Sequence, residues 1–337
     1  MEHVQGPNPM LFFDTIGAFQ RTQVLKGALD LELFTVIGEG NHSCADIARR
    51  CEATERGVRI LCDYLTSAGF LKKDGLNYSL TEDSAIFLDK RSPGYAGGAA
   101  AFLLSPMIRA AFEDIAGTVR KGGTLLPKDG SVTPDHPAWV EFARGMGSFT
   151  ALPSKMMAKL VLNGSQEKIR VLDIAAGHGM FGIAFAQQNP NAEIVAVDWP
   201  NVLQVATEFA SESGVLNQFK TLPGDAFEVE FGDGYDVVLL TNFLHHFDPP
   251  TCELLLRKVH SSLKQGGVAV TLESIPDENR VTPPFAAMFS MIMLASTPSG
   301  DAYTFHELET MFANAGFEST QFHALPPTPQ SVLISRK

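Results

Sequence analysis

Residues 169–182 read IRVLDIAAGHGMFG. An apolar, β-branched run enters a glycine-rich turn, and the turn leads into a helical segment. Gly177, Gly179 and Gly182 match the spacing G-x-G-x-x-G. Glycines at these positions let backbone approach a nucleotide ligand closely. Asp198 ends the next predicted strand, 19 residues after Gly179. An acid at that tip accepts hydrogen bonds from ribose hydroxyls.

The same rhythm continues along the chain. MFGIAFAQQ is predicted helix, AEIVAVDWP strand, VLQVATEFASESG helix and FKTLPGDAF strand and turn. YDVVLLTNF follows as strand, TCELLLRKVHSSLKQGG as helix and GVAVTLESIP as a further strand. Strands that alternate with helices predict a Rossmann-like α/β fold, doubly wound around a mainly parallel sheet.

Glycine spacing alone suits a nicotinamide dinucleotide as well. Two features favour S-adenosyl-L-methionine. Asp173 stands four residues before Gly177, where a carboxylate repels a pyrophosphate but suits an ammonium and a sulfonium. The segment GDAF, residues 224–227, follows the third strand. Asp225 there can take an adenine amino group while Phe227 packs the ring.

The N-terminal part reads differently. Leu25, Leu29, Leu33 and Ile37 fall four apart in a predicted helix over 11–40. CADIARRC and ERGVRILCDYLTSAGF are predicted helices, opened by Ser43 and Thr54. LKKDGLNYSLT then reads as a hairpin around Asp74-Gly75. Helix, helix and hairpin form a winged-helix pattern, whose usual work is DNA binding. Charge argues against that work. The chain carries a net charge of −12, and residues 1–100 hold 10 Lys and Arg against 13 Asp and Glu. Arg56 and Arg59 are offset by Glu55 and Asp63. No nucleic-acid partner is expected, and the apolar surplus in 11–40 points to dimerisation.

Four cysteines without a C-x-x-C pair read as reduced thiols of a cytoplasmic protein. The apolar runs near 96–107 and 285–295 are too short to span a bilayer, so no membrane association is expected. No metal is expected, because no cluster with ligand spacing appears. His178 and His260 read as local hydrogen-bonding residues. Residues 95–160 read as mostly helical, with breaks at 121–137.

LDIAAGHG, VAVDWPNVL, GDAF and LLTNFLHHFD, in this order, resemble the SAM-dependent O-methyltransferases of the plant caffeate and flavonoid type and their bacterial relatives. The resemblance covers nearly the whole chain. It implies a winged-helix dimerisation domain over 1–95 and a class I methyltransferase domain over 96–337. Residues 96–165 would form a helical connector that contributes to the substrate pocket. It also implies a homodimer and S-adenosyl-L-methionine as cofactor. Carried over by position, Gly177 and Gly179 lie against the cofactor, Asp198 binds ribose, and Asp225 and Ala226 flank adenine. Asp173, Trp199, Phe227, Thr241 and Phe247 complete the expected cofactor set.

Methyl transfer to oxygen requires removal of the acceptor proton. A phenol has a pKa of about 10, and a positioned histidine contributes roughly 10²–10⁴-fold. His245 and His246 lie just past DVVLL, at the carboxyl end of a strand, where open α/β sheets bind ligands. The family pattern Leu-His-Asp-Trp falls on Leu244-His245-His246-Phe247, which makes His245 the base. His246 then replaces an acid and Phe247 a tryptophan. His246 can also be read as a loop residue leading to Asp248, a helix N-cap followed by Pro249.

Glu273 matches the family's first carboxylate partner of the histidine. The second falls in Gly-Lys-Glu-Arg-Thr, which here reads Gly300-Asp301-Ala302-Tyr303-Thr304. Either Asp301 substitutes or one carboxylate suffices. For the acceptor pocket, the resemblance points to the helix FAAMFSMIMLAS, with Phe285, Met288, Phe289 and Ile292; Phe142, Met146, Phe149 and His246 are further candidates. The expected acceptor is a small aromatic or polyketide-like hydroxyl compound. The alternative is C-methylation, or a non-methylating SAM-dependent reaction, on the same scaffold.

Overall fold

The computed structural model describes residues 7–337. The chain divides between Ala100 and Ala101 into two compact units, a few residues past the expected division at 95/96.

In the first unit the expected helix over 11–40 is two helices, Met10–Asp30 and Leu33–Gly38. The break falls at Glu32, whose φ of 51° is left-handed. Helices Cys44–Arg50 and Glu55–Ser67 follow. Their N-caps Ser43 and Thr54 accept from the backbone N–H groups of Asp46 and Gly57. Each such cap contributes about 1 kcal/mol. Strands β1 (Leu71–Asp74) and β2 (Asn77–Leu80) pair antiparallel around Gly75, at φ 58°. Phe34, Ile37, Ile47, Val58, Leu65 and Tyr78 form the centre of this unit's core. The first helix packs Val24, Leu25, Ala28 and Leu29 against this core, but its N-terminal half is open: Leu11, Phe12, Phe13 and Phe19 are each more than half exposed.

The second unit carries β3 (Ile169–Ile174), β4 (Ala192–Asp198), β5 (Phe219–Pro223), β6 (Tyr235–Thr241), β7 (Leu263–Glu273), β8 (Ser319–Ala324) and β9 (Ser331–Arg336). They form one sheet in the order β5-β4-β3-β6-β7-β9-β8. The first five in that order run parallel, and β9 is antiparallel to both β7 and β8. Side chains alternate between the two faces. Val171, Val237, Leu239 and Val270 enter one apolar cluster, and Leu172, Val238, Leu240 and Ala269 enter the other. Burying each Leu or Val side chain contributes roughly 1.5–3 kcal/mol. One correction concerns the helix after Asp248. It ends at Ser262, and Leu263 already pairs with Tyr235, so the strand begins before the Gly266-Gly267 step.

Strand order reverses at β3. Chain running to β4 and β5 goes one way, and chain running to β6 and β7 goes the other. The crevice between the carboxyl ends of β3 and β6 is the place where such sheets take ligands. Two loops meet this crevice: the glycine turn after β3 and the two-histidine turn after β6. Among the described residues, no helix is long and apolar enough to cross a membrane.

Candidate active site

The glycine turn is built around backbone that only small residues accommodate well. Gly177 and Gly179 have φ of 57° and 72°, and Ala175 shares the left-handed region at 52°. A Cβ at Gly182 would lie 2.6 Å from Ile194 Cγ2 and 3.0 Å from Asp173 Oδ2. Two carboxylates brace the turn. The Gly182 N–H donates to Asp173 Oδ2 at 2.9 Å. The Gly177 and Trp199 N–H groups donate to Asp198 Oδ2 and Oδ1 at 2.8 and 2.7 Å.

Both carboxylates sit above the usual range. Burial pushes Asp173 up to about 7, opposed by the Gly182 N–H and helped by the charge of Asp198. Burial likewise raises Asp198 to about 6, opposed by the Gly177 and Trp199 N–H groups. Asp173 Oδ1 is buried without a hydrogen-bond partner. An orphaned buried carboxylate oxygen favours a nearby cation. This fits a ligand carrying ammonium and sulfonium groups.

The third strand end joins the same crevice. The Gly224 N–H donates to the Asp198 carbonyl at 3.0 Å. Asp225 Oδ1 accepts from the Phe227 N–H at 2.8 Å, which closes the turn. Ala226 is buried. The Phe227 ring meets Phe247 edge-on at 5.0 Å, and Phe243 lies 5.2 Å from Phe247. Thr241 is buried at the end of β6. Hydrogen bonds and ring contacts thus link the turns that follow β3, β4, β5 and β6.

After Thr241 the chain turns through Asn242, at φ 55°, into a short 3₁₀ turn, Leu244–His246. His245 is 5 % exposed. Its Nδ1 lies 2.5 Å from Glu273 Oε2. Glu273 Oε1 accepts from the Phe243 and Leu244 N–H groups at 3.1 and 3.0 Å. A ring nitrogen facing a carboxylate carries its hydrogen, so Nδ1 is the donor and Nε2 keeps the lone pair. Phe289 meets the His245 ring edge-on at 4.7 Å.

His246 is buried too, with its ring centroid 4.3 Å from that of His245 and 5.4 Å from Trp139. Its Nδ1 has no partner. Burial, with the neighbouring His245, holds it well below the usual histidine range. It is a neutral ring inside an aromatic wall. Asp248 caps the next helix, Pro249–Ser262, by accepting from the Thr251 N–H.

His178 serves local structure. Its Nδ1 accepts from the Met180 N–H at 3.1 Å, and its Nε2 lies 2.9 Å from Thr150 Oγ1. Burial lowers it to about 4. Phe142 stacks over this ring at 5.8 Å, and its edge would be 3.4 Å from a Cβ at Gly177. Phe289 and His246 border His245, whereas Phe149, Phe285 and Met288 are about half exposed. Met146 and Ile292 are partly buried, and their carbonyls accept from Thr150 Oγ1 and Ser296 Oγ.

The segment 300–304 packs on the two-histidine turn through contacts that carry no sequence signal. Asp301 Oδ2 pairs with Arg280 at 3.2 Å, and its Oδ1 takes the Ala302 N–H at 2.8 Å. Its carboxylate is thus occupied, and the carboxylate on His245 is that of Glu273. Gly300 instead packs directly on the His245–His246 peptide: a Cβ there would collide with the His245 carbonyl oxygen and sit 2.9 Å from the His246 carbonyl carbon. The Tyr303 hydroxyl donates to the Phe247 carbonyl. Trp139, whose Nε1 donates to the Ser131 carbonyl at 3.0 Å, is a further wall residue that no periodicity marked.

Residues 132–318 match the O-methyltransferase domain, and residues 13–90 match the O-methyltransferase dimerisation domain. A 3-hydroxy-5-methyl-1-naphthoate 3-O-methyltransferase of Streptomyces sahachiroi is 28% identical over 91% of this chain and 89% of its own. The crystal structure of a candidate O-methyltransferase from Nostoc punctiforme is 50% identical, with a TM-score of 0.93, over 99% of this chain and 100% of its own. Human N-acetylserotonin methyltransferase, solved in complex with SAM, shares the fold at a TM-score of 0.86 and 22% identity, over 100% of this chain and 99% of its own. The domain match spans more than half of the chain, and the crevice has carboxylates suited to a cationic nucleoside. The protein belongs to the O-methyltransferase family, as a methyltransferase that uses S-adenosyl-L-methionine and carries the family's dimerisation domain.

Proposed function

We propose that this enzyme methylates a hydroxyl of a small aromatic or polyketide-like acceptor, with His245 as general base. The observation that carries the proposal is the His245 Nδ1–Glu273 Oε2 hydrogen bond of 2.5 Å, with Glu273 itself pinned by two backbone N–H groups. Glu273 fixes the tautomer, orients the ring and stabilises the imidazolium that forms when Nε2 takes the acceptor proton. The base works on a phenol of pKa about 10 and contributes roughly 10²–10⁴-fold.

When bound, S-adenosyl-L-methionine supplies a methyl carbon already activated by its sulfonium. Asp198 would receive the ribose hydroxyls, Asp225 and Ala226 would flank the adenine, and Phe227 and Phe247 would pack it. Gly177 and Gly179 let backbone approach, while Trp199 and Thr241 line the same strand ends. Asp173 holds the glycine turn through the Gly182 N–H, and a bound cation would favour its ionised form. Phe289, His246, Phe142 and Trp139 make an aromatic surround suited to a flat acceptor. The naphthoate methylated by the Streptomyces relative is such a molecule.

In this reading residues 1–95 serve association and 96–337 serve transfer. The exposed Phe12, Phe13 and Phe19 are covered by a second copy of the chain, and sedimentation should give a dimer. The decisive assay follows S-adenosylhomocysteine release over a panel of phenols, hydroxyquinones and hydroxynaphthoates, with amine and carbon acceptors beside them. Release with hydroxylated aromatics, and an O-methyl product by mass spectrometry, is expected. Turnover confined to amine or carbon acceptors would refute the proposal.

A further inference from the structure

Lys258 lies on the helix that starts at Pro249, directly after the two-histidine turn. Its Nζ donates to the carbonyl oxygens of Ala226 and Phe227, each at 3.0 Å. The ammonium also lies 4.3 Å from the centroid of the Phe231 ring. The turn after β5 is therefore braced twice. Asp225 Oδ1 holds the Phe227 N–H from inside at 2.8 Å, and Lys258 holds two successive carbonyls from outside.

Two consecutive carbonyls aimed at one cation fix the orientation of both peptide planes. They also set the direction in which the Phe227 side chain leaves the backbone, toward Phe247 at 5.0 Å. Hydrogen bonds from a charged donor are the strong ones. Burial draws the ammonium below the ordinary lysine range, while Glu230, Asp225 and Glu228 oppose that effect. Because one helix carries Lys258 and begins at the end of the catalytic turn, the cofactor turn and the base are tied to a single rigid element.

We propose that Lys258 is a positioning residue for the cofactor, holding the Ala226–Phe227 peptide in the conformation that receives the adenine end of S-adenosyl-L-methionine. The proposal rests on the reading of the 224–227 turn as the adenine site. A purely structural lysine would affect the melting temperature and leave ligand affinity alone. A positioning lysine must move the affinity.

The test is calorimetric binding of S-adenosylhomocysteine to the full-length protein and to Lys258→Met, Lys258→Arg and Asp225→Asn, with melting temperatures of the ligand-free proteins alongside. Loss of two charge-assisted bonds should raise Kd about tenfold or more in Lys258→Met. Lys258→Arg, which keeps a cationic donor able to reach two carbonyls, should recover most of the loss. A wild-type Kd in Lys258→Met, with Asp225→Asn weakened, overturns the role of Lys258 and leaves the adenine site standing. Wild-type affinity in Asp225→Asn as well removes the adenine reading and this inference with it. If Lys258→Met does not fold, Lys258→Gln keeps one neutral donor and should still weaken binding severalfold; a wild-type Kd there overturns the proposal.

Discussion

His245 and Glu273 are 28 residues apart in sequence, yet their side chains meet at 2.5 Å between Nδ1 and Oε2. Adjacent parallel strands produce the meeting. Thr241 at the end of β6 stands opposite Leu272 in β7, so the residues that follow each strand emerge together. The carboxylate is itself immobilised by the Phe243 and Leu244 N–H groups. His245, Glu273 and the loop backbone form one closed hydrogen-bonded unit.

Glu273→Gln tests that unit. The amide oxygen will face the two backbone N–H donors, which leaves its NH₂ toward His245. That arrangement demands a lone pair on Nδ1 and puts the hydrogen on Nε2, the wrong tautomer for a base. The kcat should fall roughly 10²–10⁴-fold while calorimetric affinity for S-adenosylhomocysteine stays near wild type. A variant with full turnover would show that the pair has no catalytic part.

Gly300→Ala tests the support beneath the proposed base, His245. The added methyl has no room against the His245 carbonyl and lies 2.7 Å from Thr297 Oγ1. The catalytic turn must shift. Overpacking of this kind costs about 1–3 kcal/mol, so the melting temperature should drop by several degrees. Displacement of the base by even ~1 Å should cost about 10²-fold in turnover. Wild-type stability and turnover together would contradict the close packing of this segment.

The pH dependence of cofactor affinity follows from Asp198. Burial raises its ligand-free pKa to about 6. As the proposed ribose acceptor, Asp198 would take hydroxyl donors in its ionised form, which lowers its bound pKa, so binding below about pH 6 would release a proton. Affinity is therefore at its plateau well above pH 6, is about halved at pH 6, and is about tenfold lower at pH 5 than at pH 8. Calorimetry with S-adenosylhomocysteine in buffers of different ionisation enthalpy should register the proton release. A flat affinity from pH 5 to 8 would count against Asp198 as the ribose acceptor.

The fold was legible because its determinants are local. The strand–turn–helix alternation from Ile169 and the glycines at 177, 179 and 182 need no distant residue to be read. The N-caps Ser43, Thr54 and Asp248 were readable for the same reason. Long-range packing was not. The break at Glu32 interrupts a continuous apolar stripe through a left-handed residue that no glycine marks. The contacts of Lys258 with Ala226 and Phe227 span about thirty residues. Gly300 carries no sequence signal that it seals the back of the His245 turn. The two histidines were ambiguous as neighbours in sequence. Their partners separate them, because His245 has Glu273 and His246 has only rings around a buried, unpartnered nitrogen.

The most direct test of the central claim is His245→Gln, assayed with whichever hydroxylated aromatic the panel identifies and titrated with S-adenosylhomocysteine in parallel. Glutamine retains polarity and approximate volume but offers no titratable base. The account predicts near-wild-type binding of S-adenosylhomocysteine and a loss of methyl transfer of at least about 10²-fold. Unchanged transfer in a folded, ligand-binding His245→Gln protein would contradict it.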